Sequence, residues 1–386
     1  MPVNKILVIG AGVAGPAVCY WLKRFGFSPV LIEKSLEIRK GGQALDIRGI
    51  AVDLVKKMGI HEQICDMRTR IALGRYVDAK GNTLHEEKGE RAGFRQDEEV
   101  EIIRGDLVQI LMGAIEGVPC YFNQRVAAIE QNDNGVIVNF KDGRNERYDL
   151  VIGADGIHSA TRRLVFDKDE YKLVNLGSYL SIFTIPNYLN LKHTEVLCEA
   201  DQKLASITSD KHPQIAQAGF MFRSPHVLNN IRDENQQKQF LRDVFQDFGW
   251  EVPKMLELMS DSDDFYFDAI TQVKMKSWTK GRMALLGDAG YCASPLSGQG
   301  NNLALVGAYI LAGELKKAGG NHIQAFNRYN ELLHPFVEAN QRFGLWVSES
   351  FLAQDEVSKE IAEERSNSVL KEIKIVSNAI SLPEYE

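Results

Sequence analysis

After Lys5 the chain runs through four uninterrupted apolar positions, Ile6-Leu7-Val8-Ile9, and then into glycines. A short β-rich run with no polar alternation is the pattern of a strand covered on both sheet faces. From Pro16 the spacing turns helical, with Val18, Cys19, Leu22 and Phe25 on one side and Gly26 as the stop. Pro29 to Ile32 reads as a second strand and ends at Glu33-Lys34. Strand, turn, helix and strand within about 30 residues form the smallest dinucleotide-binding unit.

Further on, Gly49 to Met58 and Gly105 to Gly113 read as helices, and Asp78 to Asn82 as a hairpin turn. Two strands, Gly135 to Phe140 and Tyr148 to Gly153, flank the turn Lys141-Asp142-Gly143. The middle third changes character. Its β-rich runs (Tyr179 to Ile185, Gly219 to Phe222, Phe265 to Ile270) are interrupted by a charged helix at Asp233 to Phe248, the pattern of an inserted antiparallel sheet. A buried-type strand returns at Arg282 to Leu286. From about Asn321 the chain is nearly all helical, with Val357, Ile361, Val369, Ile373, Val376 and Ile380 as an apolar stripe. The expected fold is α/β: a discontinuous Rossmann-like domain (1–70, 95–175 and 274–330), an antiparallel-sheet substrate domain (71–94 and 176–273) and a C-terminal helical segment (331–386).

Composition removes several function classes. With 386 residues, 44% hydrophobic and 25% charged, the chain has the mix of an ordinary globular protein and too much apolar content for disorder. Its formal charge of −7 argues against nucleic acid as a general partner. The five cysteines are scattered without a C-x-x-C pair, so neither a disulfide framework nor a structural zinc site is expected. The longest greasy stretch, Leu303 to Leu315, is broken by Gly307, Gly313 and Glu314 and falls short of the ~20 residues of a membrane span. A reduced, cytoplasmic protein with no membrane contact is the expectation. The eight histidines are dispersed, and no G-x-S-x-G, H-E-x-x-H or P-loop occurs, so neither a metal ligand set nor a side-chain nucleophile is expected.

Three motifs carry chemistry. In Gly10-x-Gly12-x-x-Gly15, Gly10 permits the tight turn, Gly12 lets a pyrophosphate approach the backbone, and Gly15 lets the helix pack on its strand. Val13 and Ala14 belong to the turn whose free N–H groups face the anion. Glu33, 18 residues after Gly15, stands where a carboxylate accepts from ribose hydroxyls, which disfavours NADP in this slot. The motif by itself does not separate FAD from NAD. The second motif, Gly153-Ala154-Asp155-Gly156-Ile157-His158-Ser159-Ala160-Thr161-Arg162, brings an Asp to a strand end, where a cap for the next helix is an equally good reading. The third, Leu286-Gly287-Asp288-Ala289 continuing through Pro295 to Gly298-Gln299-Gly300-Asn301-Asn302, places an Asp at a strand end and a glycine-rich turn before a helix N-terminus that can face an anion.

In this order, G-x-G-x-x-G, D-G-x-x-S-x-x-R and G-D-A with P-x-x-G-Q-G, the chain resembles the FAD-dependent class A monooxygenases, the para-hydroxybenzoate hydroxylase-like family, over residues to about 330. With Gly41-Gly42-Gln43-Ala44-Leu45-Asp46-Ile47-Arg48 and the additional C-terminal helix it is most similar to the tetracycline-inactivating flavin monooxygenases, the tetracycline destructases. The resemblance implies tightly bound FAD and transient NADPH, with a flavin C4a-hydroperoxide that hydroxylates the substrate. It implies Glu33, with Lys34 beside it, at the adenosine ribose, Val126 at the adenine, Arg104 at the ribose-phosphate, and Asp155 near the pyrophosphate and the NADPH route. Asp288 is implied at the ribityl chain, Pro295 and Gly298 to Asn302 at the flavin N1–C2=O edge, and Arg48 near the isoalloxazine. Two departures stand out: Gly290-Tyr291 where the family often has Ala-His, expected to change the pocket wall, and Gly307 where an Asp is common, expected to change local helix packing.

The substrate pocket is expected between flavin and inserted sheet. On the alternating run Gly219 to Arg223 either the two Phe, or Met221 with Arg223, point inward. Phe94 is a further candidate, and the C-terminal helix, with Phe343, Trp346 and Phe351 as an aromatic flank, either closes the pocket or only packs on the FAD domain. The expected protein is a monomeric oxidoreductase acting on tetracyclines with O2. The alternatives are the same chemistry on a phenolic or polyketide-like compound, a flavin-dependent halogenase, or a non-catalytic FAD-binding protein. Halogenases carry a W-x-W-x-I-P motif, and Trp21, Trp250, Trp278 and Trp346 form no such pair.

Overall fold

A computed structural model describes residues 4–38, 41–89, 98–224, 233–350 and 359–385. The opening strand Lys5–Ile9 lies at the centre of a six-stranded sheet, parallel to Ser28–Ile32 on one side and to Leu150–Gly153 on the other. Cys120–Tyr121 extends one edge, and Met283–Leu285 with Thr279–Lys280 the other. Strand order therefore reverses about Lys5–Ile9, and the glycine turn leaves the sheet at that switch point, where open α/β sheets bind ligands.

Tyr148 to Gly153 is not one strand. Asn145–Tyr148 folds back on Gly135–Phe140, and Leu150–Gly153 joins the parallel sheet. Asp149 makes the change of direction: its carboxylate accepts the main-chain N–H groups of Asn4 and Lys5 at 2.9 and 2.8 Å, which docks the next residues beside the first strand.

The inserted sheet has seven strands, in the order Tyr266–Met275, Tyr171–Pro186, Ile215–Arg223, Lys203–Ser209, Thr194–Ala200, Leu73–Val77 and Thr83–Lys88. Tyr171–Pro186 and Tyr266–Met275 run across the expected domain edges near 175 and 274. Alternation along Ile215–Arg223 decides which face is which. Phe220 and Phe222 are buried beneath the helix Glu234–Phe245, with the Phe220 and Phe245 rings 4.8 Å apart. Gln217, Met221 and Arg223 therefore share the opposite face, which turns to the Rossmann-like domain: Gln217 Nε2 donates to the Gly42 carbonyl at 3.1 Å.

Among the described residues the C-terminal part has two helices, His322–Ser350 and Lys359–Ser377, the first starting before residue 331. Phe343, Val347, Val369, Ile373 and Val376 join them in a small core of their own, with Leu296 and Trp346 packed against it. Val357, Phe351 and Phe94 lie outside the described residues. The closing residues return to the main core, where Tyr385 is buried and its hydroxyl donates to Glu314 Oε1 at 2.6 Å. No helix among the described residues is long and apolar enough to cross a membrane.

Candidate active site

The glycine turn is dictated by contact. Gly10 has φ +109°, and a Cβ there would lie 2.5 Å from the Ala154 carbonyl; a Cβ at Gly15 would collide with the Gly10 carbonyl. With the backbones this close, Val13, Ala14 and Gly15 start the helix Ala14–Arg24 directly behind the strand end. A cavity of about 650 Å3 opens in front of them, and Gly10, Gly12, Glu33, Lys34, Arg104, Val126 and Asp155 all line it.

Glu33 Oε2 accepts the Ala11 N–H at 2.8 Å and Oε1 the Ser35 N–H at 2.9 Å. Partial burial works against ionisation, but these donors outweigh it and hold the carboxyl below its usual range. Asp155 is mostly engaged locally. It accepts from Ser159 Oγ at 2.5 Å and from the Thr161 N–H at 3.0 Å, the capping arrangement that its position in the sequence equally allowed. Arg104 opens the helix Arg104–Ala114, and its N–H donates to the Gln43 carbonyl, which holds the Gly41–Gln43 loop against the start of that helix.

Arg48, Asp288, Pro295, Gly298, Gly300, Asn301 and Asn302 are not among the residues lining this cavity. They gather around the first turn of the helix Gly300–Lys317. The Arg48 N–H donates to Asn302 Oδ1 at 3.3 Å, and Asn301 Nδ2 donates to the Asp46 carbonyl. Asp288 lies beneath that turn, with Oδ1 3.8 Å from where a Gly300 Cβ would stand. Desolvation of this half-buried group pushes the carboxyl up, while the Cys292 thiol and the charge of Arg104 pull the other way. Arg104 thus belongs to both groups: it lines the cavity and acts electrostatically on Asp288. The two clusters form one elongated site.

Four residues have a place in the site that the motifs did not single out. Arg162 is 1% exposed, and its guanidinium donates to the carbonyls of Ala289 and Ile157 at 2.7 and 2.6 Å, tying the second motif to the third. Its S-x-x-R spacing was the available signal. Asp46 and Glu99 grip Arg48 at 2.8 and 2.9 Å. Asp46 was legible as a same-face neighbour two residues back on a strand, whereas Glu99 arrives only through strand pairing. Gln299 is fully buried; its Oε1 accepts from Asn302 Nδ2 at 2.5 Å, and its Nε2 has no hydrogen-bond partner.

Tyr291 does not form a pocket wall. It is fully buried in the main core, its ring 4.8 Å from that of Trp278. On the inserted sheet, the Arg223 guanidinium donates to the Ser348 carbonyl and so ties the inward face to the C-terminal helices.

The fold and this site define a dinucleotide-binding flavoprotein: a glycine turn on a parallel switch point, a ribose-type acid, and a second helix N-terminus above a half-buried carboxyl. The chain belongs to the FAD binding domain family, which matches residues 4–343, and within it to the flavin-dependent monooxygenases. It is 71% identical over 382 residues to a flavin-dependent monooxygenase of Legionella longbeachae serogroup 1 (strain NSW150), covering 99% of this chain and 98% of that one. Among solved structures it is similar to tetracycline destructase Tet(51), with TM-score 0.93, 69% identity and coverage of 99% and 100%. It is also similar to tetracycline destructase Tet(55), with TM-score 0.94, 61% identity and 99% coverage of both chains. The cofactor is FAD, and the residues fit it: the cavity takes a pyrophosphate against bare backbone, Glu33 offers acceptor oxygens, and the buried Gln299 Nε2 supplies an uncommitted donor beside the helix N-terminus.

Proposed function

We propose that this enzyme hydroxylates tetracyclines and thereby inactivates them, using NADPH and O2, as a monomer in the cytoplasm. The observation that carries this reading is the full-length likeness to tetracycline destructase Tet(51), which spans the FAD domain, the inserted sheet and the C-terminal helices together. A likeness confined to the FAD domain would support only the chemistry, whereas substrate choice lies in the other two parts.

When bound, FAD supplies the hydride acceptor and the oxygen activation. The chain's own residues bind, orient and exclude water. Glu33, with Lys34 beside it, would accept from the adenosine ribose, and Val126 would present backbone to the adenine. The Gly10–Gly15 turn and the N–H groups of the first helix would hold the pyrophosphate, with Arg104 offsetting its charge. Asp155 would border the pyrophosphate and the NADPH route. Asp288 would accept from the ribityl chain. The first turn of Gly300–Lys317, after Pro295 and Gly298 and including Asn301 and Asn302, would stabilise negative charge on the flavin ring. Arg48 would stand near the same ring. Met221 and Arg223 line the substrate side, and the small core around Phe343 closes it against water.

The test follows NADPH oxidation and the tetracycline chromophore together in the purified yellow protein. Coupled loss of both supports the proposal. A chromophore left intact while a simple phenol is turned over moves the substrate to a phenolic compound. FAD without substrate-stimulated NADPH use defeats the catalytic reading.

A further inference from the structure

Arg48 is 2% exposed, and a buried guanidinium is tolerated only where carboxylates and hydrogen bonds replace its water. Two carboxylates do so from two directions. Asp46, two residues back on the strand Ala44–Ile47, meets Nη2 at 2.8 Å, and Glu99 meets Nη1 at 2.9 Å. Ile47 pairs with Val100 in the antiparallel ladder, so Glu99 is the next cross-strand neighbour and directly faces Arg48. The Glu99 side chain is only 10% exposed. The residue before it, Glu98, points outward instead and makes an exposed ion pair with Lys56 at 2.5 Å. The cluster is also stitched to the helix Gly300–Lys317 through Arg48 N–H to Asn302 Oδ1 and Asn301 Nδ2 to the Asp46 carbonyl.

We propose that Glu99 is a positioning residue of the monooxygenase: it holds the guanidinium of Arg48, whose main-chain N–H is tied to Asn302 in the first turn of Gly300–Lys317, and, through its own charge, sets how readily the bound flavin accepts electrons. This rests on the reading that the turn faces the flavin ring. A negative charge held in a poorly screened interior disfavours adding further negative charge nearby. Glu99 therefore offsets part of the positive potential of the helix N-terminus and of Arg48. Removing its charge makes reduction easier and takes away one of the two carboxylates that orient the guanidinium.

The experiment measures the midpoint of bound FAD by spectroelectrochemistry, with FAD content and thermal melting recorded on the same holoenzyme. Glu99→Gln and the apolar, similarly sized Glu99→Met are made in parallel. Both are expected to bind FAD stoichiometrically and to raise the ratio of reduced to oxidised flavin at a fixed potential on the order of tenfold, about 30 mV for two electrons. Glu99→Asp, which keeps the charge, is expected to stay within twofold of wild type. Glu98→Gln, an exposed neighbour with the same change of charge, is expected to leave the midpoint in place. Normal FAD content with an unmoved midpoint in both uncharged variants overturns the proposal. So does failure of both to accumulate as holoenzyme, which assigns Glu99 to folding alone. Wild-type protein that takes up no FAD defeats the reading of the site itself, a separate result.

Discussion

The phenol of Tyr291 fills the space that a side chain at Gly307 would need. A Cβ built on Gly307 collides with the Tyr291 hydroxyl and comes within 3.1 Å of Leu286 Cδ1. The hydroxyl of Tyr329 holds the arrangement, lying 3.1 Å from that of Tyr291 while donating to the Leu285 carbonyl at 2.9 Å. A Cβ at Gly290 would in turn stand 3.2 Å from the Trp278 ring. The departures at 291 and 307 are therefore one packing exchange, in which the Tyr291 ring takes the volume left at Gly307, while Gly290 leaves room for the Trp278 ring that packs on Tyr291. Gly307→Ala is expected to destabilise the protein by about 1–3 kcal/mol through overpacking. Tyr291→Phe, which removes the colliding oxygen, is expected to recover part of that loss. A double-mutant cycle in urea with a coupling of about 0.5 kcal/mol or more is the expected reading, and strict additivity would falsify the contact.

Asp288 is expected to show stability and binding moving in opposite directions. Desolvation raises its carboxyl above the ordinary 3.8, so the free protein loses stability as pH rises from that value through the folded one. Asp288→Asn removes this cost. Without FAD the variant should be more stable than wild type near neutral pH and indistinguishable from it in strong acid. FAD affinity should fall about tenfold or more if the carboxylate accepts from the ribityl chain. Thermal melts with and without FAD read both effects, and equal FAD affinity would remove Asp288 from the cofactor site.

Glu33 carries the reverse sign. Its folded carboxyl ionises below the ordinary 4.5, so its contribution is complete above that value and disappears as pH falls through the lower folded one. Glu33→Gln is expected to melt less steeply with pH across that acid window and to bind FAD about tenfold or more weakly at pH 7. Titration of the flavin spectrum against protein measures the second effect. Unchanged affinity would mean that Glu33 serves the turn, through Ala11 and Ser35, and not the ribose.

The Rossmann-like half of the site was legible because each of its parts is local. Gly10 to Gly15 and Glu33 stand on consecutive elements, and their spacing states their geometry. The helix at Gly300 was equally open, since a run of glycine and asparagine before an apolar stretch marks an N-terminus. What escaped was made by pairing between distant segments. Glu99 reaches Arg48 only across the ladder of Ala44–Ile47 with Val100–Ile103, and Tyr291 meets Gly307 only once helix and strand end have packed. The split at Asp149 was hidden because Tyr148 and Leu150 are both apolar strand formers. Only the carboxylate between them, accepting from Asn4 and Lys5, separates the two strands. Whether Met221 or the two Phe faced inward was undecided by alternation alone, and the helix covering Phe220 and Phe222 decided it.

The final residues act as an anchor, and cutting their hydrogen bonds should loosen the C-terminal helices before it disturbs FAD. Tyr385 packs over Gly313, where any Cβ would strike its ring, and donates to Glu314, which is 3% exposed. Lys316 Nζ donates to the Tyr385 carbonyl at 2.6 Å and Tyr309 to that of Pro383 at 3.0 Å. Tyr385→Phe leaves a buried carboxylate oxygen without this donor, at a cost of about 1–3 kcal/mol. The helix Lys359–Ser377 is held by the small core it shares with Phe343 and Val347 and, beyond its C-terminal end, by this anchor, so weakening one attachment raises the population in which it lifts. The expected result is faster limited proteolysis within 359–377 and a lower melting temperature, with FAD affinity kept within twofold. The anchoring role fails if FAD is lost in step with the new cleavage, because that pattern marks general unfolding instead of local release.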